Sequence, residues 1–238
     1  MTKQVLMMDL GTSAYKAIWD YQEKLLRQSV EMKRQGLIPP NYLLFTEHNP
    51  VYTLGNSGNA AHVLIDESER YKKGVEYFHS NRGGDITFHG PGQLVGYPVL
   101  DLDQFKTDLG WYLRSLEEVI ILTMAEYGLK GQRSKGETGV WIDTEIKGSA
   151  RKICAMGIRC SRWVTMHGFA LNVNTDLSFF DDIIPCGIAD KKVTSLAQEL
   201  QRFVDMEELK EKVKRNFETV FQAKLETVIS ELSILNGE

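Results

Sequence analysis

A cysteine lies between a proline and a glycine in the segment 182–188, whose sequence is Asp-Ile-Ile-Pro-Cys-Gly-Ile. Proline removes a backbone donor and glycine permits a positive φ, so the segment predicts a tight turn. A turn presents a thiol to a ligand more readily than it buries one. Free cysteines usually pack as small hydrophobic residues, and packing remains the alternative for this position. Cys186 is therefore a candidate nucleophile that needs support from the rest of the sequence.

The segment 149–159 has the composition of a β-strand and carries the first candidate base. Side chains alternate between the two faces of a strand, which predicts that Lys152 shares a face with Cys154, Met156 and Ile158. A lysine among apolar residues is costly unless it is paired or neutral, and a desolvated lysine can act as a base because its pKa falls. The commoner alternative is a lysine at a strand end whose ammonium group reaches water.

A thiol is mostly protonated near neutral pH, so a catalytic cysteine requires an adjacent base. The sequence offers Lys152 or a histidine as the base for Cys186, and the residues alone do not choose between them. Cys154 is a rival nucleophile, since strand geometry places it within about 7 Å of Lys152. We expect Cys154 to be packed in the core, because strands bury small hydrophobic residues.

Two further segments combine glycines with residues that can bind polar groups. The segment 82–93, Arg-Gly-Gly-Asp-Ile-Thr-Phe-His-Gly-Pro-Gly-Gln, has four glycines that allow a ligand close to the backbone, and an arginine and a histidine that can orient it. Its spacing matches neither a Walker A loop nor the dinucleotide fingerprint, and a turn-rich β-hairpin is the alternative. In the segment 162–174, Gly168 within a strand-like run indicates a bulge or a close backbone approach. His167 in such a run is more often a packed residue than a catalyst.

Composition and charge limit the classes of protein to which this chain can belong. The 238 residues are 42% hydrophobic and 25% charged, which predicts one folded α/β domain and argues against disorder. The net charge of −4 argues against a nucleic-acid binder, and no apolar run approaches the length of a membrane span. The amino-terminal residues lack the features of a secretory or organelle leader, so we expect a cytoplasmic protein. Its three cysteines are then free thiols, and their spacing fits no zinc site.

Hydrophobic periodicity predicts three amphipathic helices, over 13–35, 108–127 and 205–222. Asp205, with Glu208 three residues later, has the pattern of a capping box at the start of the third helix. Runs rich in β-branched and aromatic residues predict strands over 42–46, 75–79, 94–100, 152–160 and 166–172. Because helices and strands alternate along the chain, we expect an α/β or α+β fold with helices packed on a mixed sheet.

Residues 130–162 are locally basic, with eight lysines and arginines against three acidic residues. That excess of +5 in a chain of net charge −4 leaves −9 on the remaining residues. A basic patch of this kind can steer an acidic partner toward the protein, and a solvated charged face is the alternative.

Taken together, these segments resemble the lipoyl(octanoyl) transferase family, over about residues 40–200. Members of that family move an octanoyl group from acyl carrier protein to a lysine of lipoate-dependent proteins. Two departures are a long first helical region and Cys154, where the family often has alanine. The resemblance rests on several motifs in the same order: His-Asn-Pro-Val-Tyr-Thr-Leu-Gly at 48–55, the segment 82–93, Lys152-Ile153, the segment 162–174, Pro185-Cys186-Gly187-Ile188 and Val193-Thr194-Ser195-Leu196.

The resemblance implies the fold of biotin and lipoate protein ligases, in which helices flank a mixed central sheet and a smaller accessory sheet lies beside it. It also implies one catalytic domain over 1–238, without a cofactor or a metal. Cys186 would be the nucleophile that forms an acyl thioester, and Lys152 would lower the pKa of that thiol as its base. His48 and His89 are expected to orient groups rather than to act as the base. The residues implied to contact the acyl substrate are Arg82, Gly83, Gly84, Asp85, Ile86, Thr87, Phe88, His89, Ala155, Met156, Gly157, Gly168, Phe169 and Ala170.

The implied reaction is a ping-pong transfer in which Cys186 accepts the octanoyl group from acyl carrier protein and a target lysine then takes it. The implied acceptors are lipoyl domains of 2-oxoacid dehydrogenases and the glycine cleavage H protein, with no nucleic acid and no membrane involved. An ATP-dependent lipoate or octanoate ligase on the same fold is the first alternative, although the sequence has no phosphate-binding motif. A non-catalytic acyl-binding module and a Cys–His hydrolase also remain open.

Overall fold

The computed structural model describes residues 2–184 and 192–229. Within those ranges the chain forms eleven β-strands and five α-helices. In chain order these are β1 (Lys3–Ser13), α1 (Tyr15–Arg34), β2 (Asn41–His48), β3 (Val51–Leu54), α2 (Glu67–Lys72), β4 (Glu76–His79), β5 (Ile86–His89), β6 (Gln93–Val99), α3 (Leu109–Ala125), β7 (Val140–Ile142), β8 (Arg151–Ser161), β9 (Val164–Asn172), β10 (Lys192–Val193), α4 (Leu196–Leu200), α5 (Met206–Phe221) and β11 (Ala223–Thr227).

Eight of the described strands form one mixed sheet in the order β10–β8–β9–β6–β2–β1–β11, with β7 also paired to β8. β1 lies parallel to β2 and to β11, whereas β2, β6, β9 and β8 pair antiparallel in turn. A smaller sheet has the order β4–β3–β5. The five predicted strands are confirmed as β2, β4, β6, β8 and β9. The predicted fold class, a mixed central sheet flanked by helices with an accessory sheet, is likewise confirmed.

The three amphipathic helices α1, α3 and α5 begin and end within two residues of their predicted bounds. Asp108 and Asp205 cap α3 and α5, since each side chain accepts the backbone N–H three residues later, at 2.9 and 2.8 Å. α1 ends at Arg34, just before Gly36 takes a positive φ. Local sequence signals therefore explain the starts of α3 and α5 and the end of α1.

Helices cover both faces of the large sheet. α3 and α5 pack on one face, where Leu116, Val213 and Phe217 are fully buried, and α1 packs on the other face through Ile18 and Leu25. Full burial of one such side chain contributes roughly 1.5–3 kcal/mol. The small sheet has an apolar cluster of its own. None of the helices in the described ranges is both long and apolar enough to cross a membrane.

Candidate active site

A cavity of about 820 Å³, partly open to solvent, lies between the small sheet and strands β6, β8 and β9. That volume includes space that is open to solvent. The wall on β8 and β9 consists mainly of glycines and apolar side chains, with Lys152, His167 and Asn172 as its polar members. The opposite wall, on β5 and the loop before it, contributes Arg82, Asp85 and His89. One side of the cavity is thus suited to a hydrocarbon chain and the other to polar groups.

The two tripeptides implied to contact the acyl substrate, 155–157 and 168–170, lie side by side in the cavity wall. Their alignment follows from the antiparallel register of β8 and β9. The register pairs Ala155 with Ala170, Met156 with Phe169, and Gly157 with Gly168. Four of these six positions hold glycine or alanine, so other parts of the chain can pack closely against the sheet here.

Gly157 allows the small sheet to approach β8. A Cβ atom at this position would lie 2.6 Å from the carbonyl oxygen of Gly83. The Gly83 N–H in turn donates to the carbonyl oxygen of Ile158 at 2.9 Å. A side chain at Gly157 would therefore force apart the two sheets that enclose the cavity.

Arg82 is buried where the two sheets meet, and its guanidinium group holds backbone carbonyls. It donates to the carbonyl oxygens of Thr53, Gly83 and Asp85, the last two at 3.0 and 2.7 Å. Charge-assisted hydrogen bonds of this kind are the stronger ones, so they fix the conformation of the loop that precedes β5. They also keep one positive charge in the cavity wall.

His48 lies behind the cavity wall with both ring nitrogens in contact with protein groups. Nδ1 lies 3.0 Å from the carbonyl oxygen of Ser13, and Nε2 lies 2.8 Å from the hydroxyl of Tyr97. Burial lowers the pKa of His48 to about 4. The ring is therefore neutral near pH 7 and orients Tyr97, which lines the cavity.

His89 and His167 line the cavity and are also held neutral. Burial, assisted by the positive charges of Arg82 and Arg159, lowers the pKa of His167 to about 3. Burial also lowers the pKa of His89 well below its usual value, with smaller contributions from His48 and Arg82. The expectation that His48 and His89 orient groups rather than act as the base stays a prediction, and their neutrality fits it.

Lys152 lies on β8 in the cavity wall, where its side chain is partly buried. Its Nζ is 4.5 Å from the ring centroid of the buried Trp141, which is a cation–π contact. On the backbone, Val193 of β10 pairs with Lys152, and the Thr194 N–H donates to the Lys152 carbonyl oxygen at 2.9 Å. The amine is thus placed beside the cavity by an aromatic ring and by two neighbouring strands.

Cys154 is fully buried in the apolar cluster that includes α3 and does not line the cavity. Burial raises the pKa of its thiol. The expected packing of Cys154 is confirmed, but the prediction that it shares a face with Lys152 is wrong. Val140 and Trp141 of β7 are consecutive, yet they pair with Cys154 and Lys152, so Ile153 is an extra residue that breaks the alternation.

Cys186 lies outside the described residues, and the flanking residues show where the segment 185–191 is attached. On one side, the Ile184 N–H donates to the carbonyl oxygen of His62 at 2.8 Å. On the other side, β10 begins at Lys192 and pairs with β8 at Arg151 and Lys152. The described residues on either side of this segment therefore contact His62 and the strand that carries Lys152.

The cavity brings together most of the residues that the sequence implied. Every implied substrate-contact residue except Gly83 and Phe88 lines it. Phe88 packs in the core of the small sheet, with its ring centroid 4.5 Å from that of Phe179. Sequence reasoning missed Tyr15 and Tyr97 in the wall, because neither belongs to a glycine-rich or charged motif.

Salt bridges offset much of the positive charge in residues 130–162. The pairs join Arg133 to Glu117 and Glu118, Arg151 to Asp143 and Glu199, and Arg159 to Glu23. The excess of positive charge on this surface is therefore smaller than the sequence alone indicates.

Comparison with known proteins assigns this fold to a class. A family model of the lipoyl protein ligase A/B catalytic domain matches residues 14–218. A bipartite lipoate protein ligase from Thermoplasma acidophilum matches 99% of this chain and 90% of its own, with a TM-score of 0.70 at 17% identity. A structure of lipoate-protein ligase A bound with ATP matches 99% of this chain and 92% of its own, with a TM-score of 0.66 at 16% identity. These two structural matches show the fold alone, which is the ligase-like fold that the resemblance implied.

Curated relatives narrow that class to a family. The octanoyltransferase of Christiangramia forsetii is 57% identical over 232 residues, which cover 94% of this chain and 99% of that relative. The octanoyltransferase of Flavobacterium johnsoniae is 54% identical over 232 residues, which cover 94% of this chain and 100% of that relative. The chain belongs to the octanoyltransferase family of acyltransferases, as its motifs predicted.

Proposed function

We propose that this chain transfers an octanoyl group from acyl carrier protein to a lysine of a lipoyl domain, through an acyl thioester on Cys186. Membership of the octanoyltransferase family supports the transferred group and the reaction class. The observation that carries the proposal is the cavity itself, which has an apolar wall on β8 and β9 and Lys152 at its edge. The proposed acceptors are lipoyl domains of 2-oxoacid dehydrogenases and the glycine cleavage H protein.

In the first half-reaction, Lys152 takes the proton of the Cys186 thiol, and the thiolate attacks the carbonyl carbon of the octanoyl thioester. The new C–S bond forms as the C–S bond to the carrier breaks, and Lys152 gives its proton to the departing thiolate, which leaves as a thiol. One thioester replaces another, so this exchange is nearly isoenergetic and needs no ATP.

The described residues support the octanoyl chain during this exchange. The paired segments 155–157 and 168–170 offer an apolar surface along which the hydrocarbon can lie. Arg82 and His89 on the opposite wall are already bound to protein groups and hold the shape of the polar side. A filled cavity excludes water, which limits hydrolysis of the thioester.

In the second half-reaction, the amine of the acceptor lysine attacks the acyl-enzyme. A C–N bond forms, the C–S bond to Cys186 breaks, and the octanoyl group leaves as an amide. An amide is more stable than a thioester, so this step drives the overall transfer forward.

We further propose that positive charge on the segment 130–162 receives acyl carrier protein, which is generally acidic. Arg162 is exposed, whereas Arg159 is paired with Glu23. Reversing the charge of both arginines should slow acylation and weaken its salt dependence. An unchanged rate with unchanged salt dependence would remove this surface from the proposal.

The function is tested by supplying octanoyl-acyl carrier protein and a lipoyl domain without ATP and by weighing the lipoyl domain. We expect its mass to increase by one octanoyl group on the target lysine. Free octanoate with ATP should give no product in a parallel reaction. Product in that second reaction only would contradict the proposal and would favour the ATP-dependent ligase.

A further inference from the structure

Trp141 is a buried aromatic residue that contacts Lys152 from outside the wall of the cavity. It lies on β7 directly opposite Lys152, in the antiparallel pairing of β7 with β8. Side chains of directly opposed residues project from the same face of a sheet, which brings these two together. Nζ of Lys152 lies 4.5 Å from the centroid of the Trp141 ring, and that ring is 1% exposed. Lys152 lines the cavity, whereas Trp141 is not part of its described wall.

The backbone on which Trp141 lies is fixed by hydrogen bonds. Gln132 and Trp141 are paired, since the N–H of each donates to the carbonyl oxygen of the other at 2.8 Å. Two residues before Trp141, Gly139 has a φ of 104°, and a Cβ atom there would lie 2.4 Å from the carbonyl oxygen of Cys154. Only glycine allows this conformation and this close approach, so β7 enters its pairing with β8 by one defined path.

Glu117 ties this path to helix α3. Its carboxylate is fully buried and accepts the Gly139 N–H through Oε1 at 3.1 Å. Oε2 accepts hydrogen bonds from Arg114 and Arg133 at 2.6 and 3.0 Å. A buried charge is costly unless it is paired, and here two guanidinium groups pair it. Because Arg133 and Gly139 both bind Glu117, the segment between them is attached to α3 at both ends.

The face of an aromatic ring attracts a cation, and it attracts a neutral amine much less. In the proposed first half-reaction, Lys152 takes the thiol proton, so a positive charge appears on Nζ beside the Trp141 ring. The contact is therefore stronger after proton transfer than before it. A contact that strengthens as the reaction proceeds lowers the barrier, whereas one of constant strength does not.

We infer that Trp141 is a positioning residue for Lys152, which holds the amine at the cavity wall and stabilises the positive charge that it gains from the thiol. The inference rests on the proposed function, because it takes Lys152 as the base for Cys186. The ring acts through Lys152 and not on the octanoyl group. The affinity for the octanoyl donor should therefore not depend on it.

The test compares Trp141→Leu with Trp141→Phe, since both side chains are smaller but only phenylalanine keeps an aromatic face. The rate of mass gain is measured against the concentration of octanoyl-acyl carrier protein. We expect the maximal rate to fall about 10- to 30-fold in Trp141→Leu and about threefold in Trp141→Phe, with the KM for the donor within about twofold of wild type in both. The larger loss corresponds to about 1.4–2 kcal/mol of activation free energy. Trp163→Leu is the control, because Trp163 is exposed in the hairpin between β8 and β9, and it should acylate at the wild-type rate.

Fluorinated tryptophan gives a second measurement that leaves the shape of the core almost unchanged and does not depend on the folding of Trp141→Leu. The chain has four tryptophans, and 5-fluorotryptophan replaces all of them during expression. Fluorine withdraws electrons from the ring face, so the labelled wild type should acylate about two- to threefold more slowly than the unlabelled protein. The same labelling of Trp141→Phe should leave its rate unchanged, since its three remaining tryptophans do not contact Lys152.

Equal losses in Trp141→Leu and Trp141→Phe would show that the shape of the ring matters and not its charge distribution, and would overturn the inference. A wild-type rate in Trp141→Leu, a loss confined to the KM, or a labelled wild type that is not slowed would also overturn it. The Lys152→Met enzyme separates this failure from that of the proposed function. If Lys152→Met acylates slowly and the Trp141 variants do not, only the inference fails. If Lys152→Met acylates at the wild-type rate, or wild type forms no acyl-enzyme, the proposed mechanism fails and the inference with it.

Discussion

The cavity has two regions that differ in their access to water. The buried cluster consists of His48, His89 and His167. Each has at least one ring nitrogen in contact with a protein group, and burial lowers the pKa of each. The rim consists of Lys152, whose side chain lines the cavity and is partly exposed. A group that exchanges protons with a substrate has to reach that substrate and then water. The proposed mechanism therefore assigns proton transfer to the partly exposed Lys152 and a structural role to the buried histidines.

The largest effect on activity is expected at the rim. Lys152→Met should slow acylation of the enzyme by about 10²–10⁴-fold, because the thiol of the nucleophile loses its base. Lys192→Met is the matched control, since Lys192 is the exposed lysine of the adjoining strand β10. The rate of mass gain with octanoyl-acyl carrier protein measures both variants. Equal acylation rates for wild type and Lys152→Met would show that Lys152 is not the base. A histidine of the buried cluster would then become the candidate base, which would contradict the comparison.

The buried cluster is expected to control stability as the pH falls. An unfolded histidine has a pKa of about 6.5, and His48 and His167 have lower values when folded. Below pH 6.5 the unfolded chain therefore binds protons that the folded chain does not, and folding loses free energy as the pH decreases toward 4. Between pH 7 and pH 5 each of the two should contribute a loss of about 2 kcal/mol.

Urea unfolding at pH 7 and at pH 5 measures this loss. The free energy of unfolding should differ between the two pH values by about 2 kcal/mol less in His48→Gln than in wild type. His79→Gln should leave that difference unchanged. A His48→Gln protein with the same pH dependence as wild type would show that His48 is not held neutral by burial.

A smaller effect is expected where the two sheets meet. Gly157→Ala would place a methyl group against the backbone carbonyl of Gly83, so the free energy of unfolding should fall by about 1–3 kcal/mol. The KM for the octanoyl donor should rise, so acylation should be slower at low donor concentrations. Gly110→Ala is the control, because Gly110 lies in the first turn of α3 and has no backbone atom among its close neighbours. Equal stabilities of wild type and Gly157→Ala would mean that the sheets can separate without cost.

The smallest effect is expected at Cys154. Cys154→Ala should keep the wild-type rate of acylation and lose about 1 kcal/mol of stability, since it only leaves a small cavity under α3. Activity assays and denaturant unfolding measure the two quantities. A large loss of acylation would make Cys154 a candidate nucleophile again.

The parts of the fold that the sequence predicted have local signals. The three predicted helices have amphipathic periodicity, and α3 and α5 also have side-chain N-caps. The segments 155–157 and 168–170 belong to long motifs. β1 and β11 lack such signals, because β11 pairs with a strand more than 200 residues earlier and β1 is parallel to both of its neighbours. Pairing over such distances depends on the assembled sheet rather than on the residues nearby.

Two features of the site also lay beyond sequence reasoning. The extra residue Ile153 moves Cys154 away from the face of Lys152, and nothing in a strand-like run of residues marks a bulge. The pairing of His62 with Asp85 joins residues 23 positions apart, and His62 lies in a 3-10 helix outside the glycine-rich segments. Both features arise from tertiary contacts.

The central claim is that the chain carries its acyl group on Cys186, and the mass of the intact protein after incubation with octanoyl-acyl carrier protein tests it most directly. Wild type and Cys154→Ala should gain one octanoyl group that hydroxylamine removes, and Cys186→Ala should gain none. A hydroxylamine-sensitive gain that persists in Cys186→Ala, or the absence of any gain on wild type with a competent donor, would contradict the account.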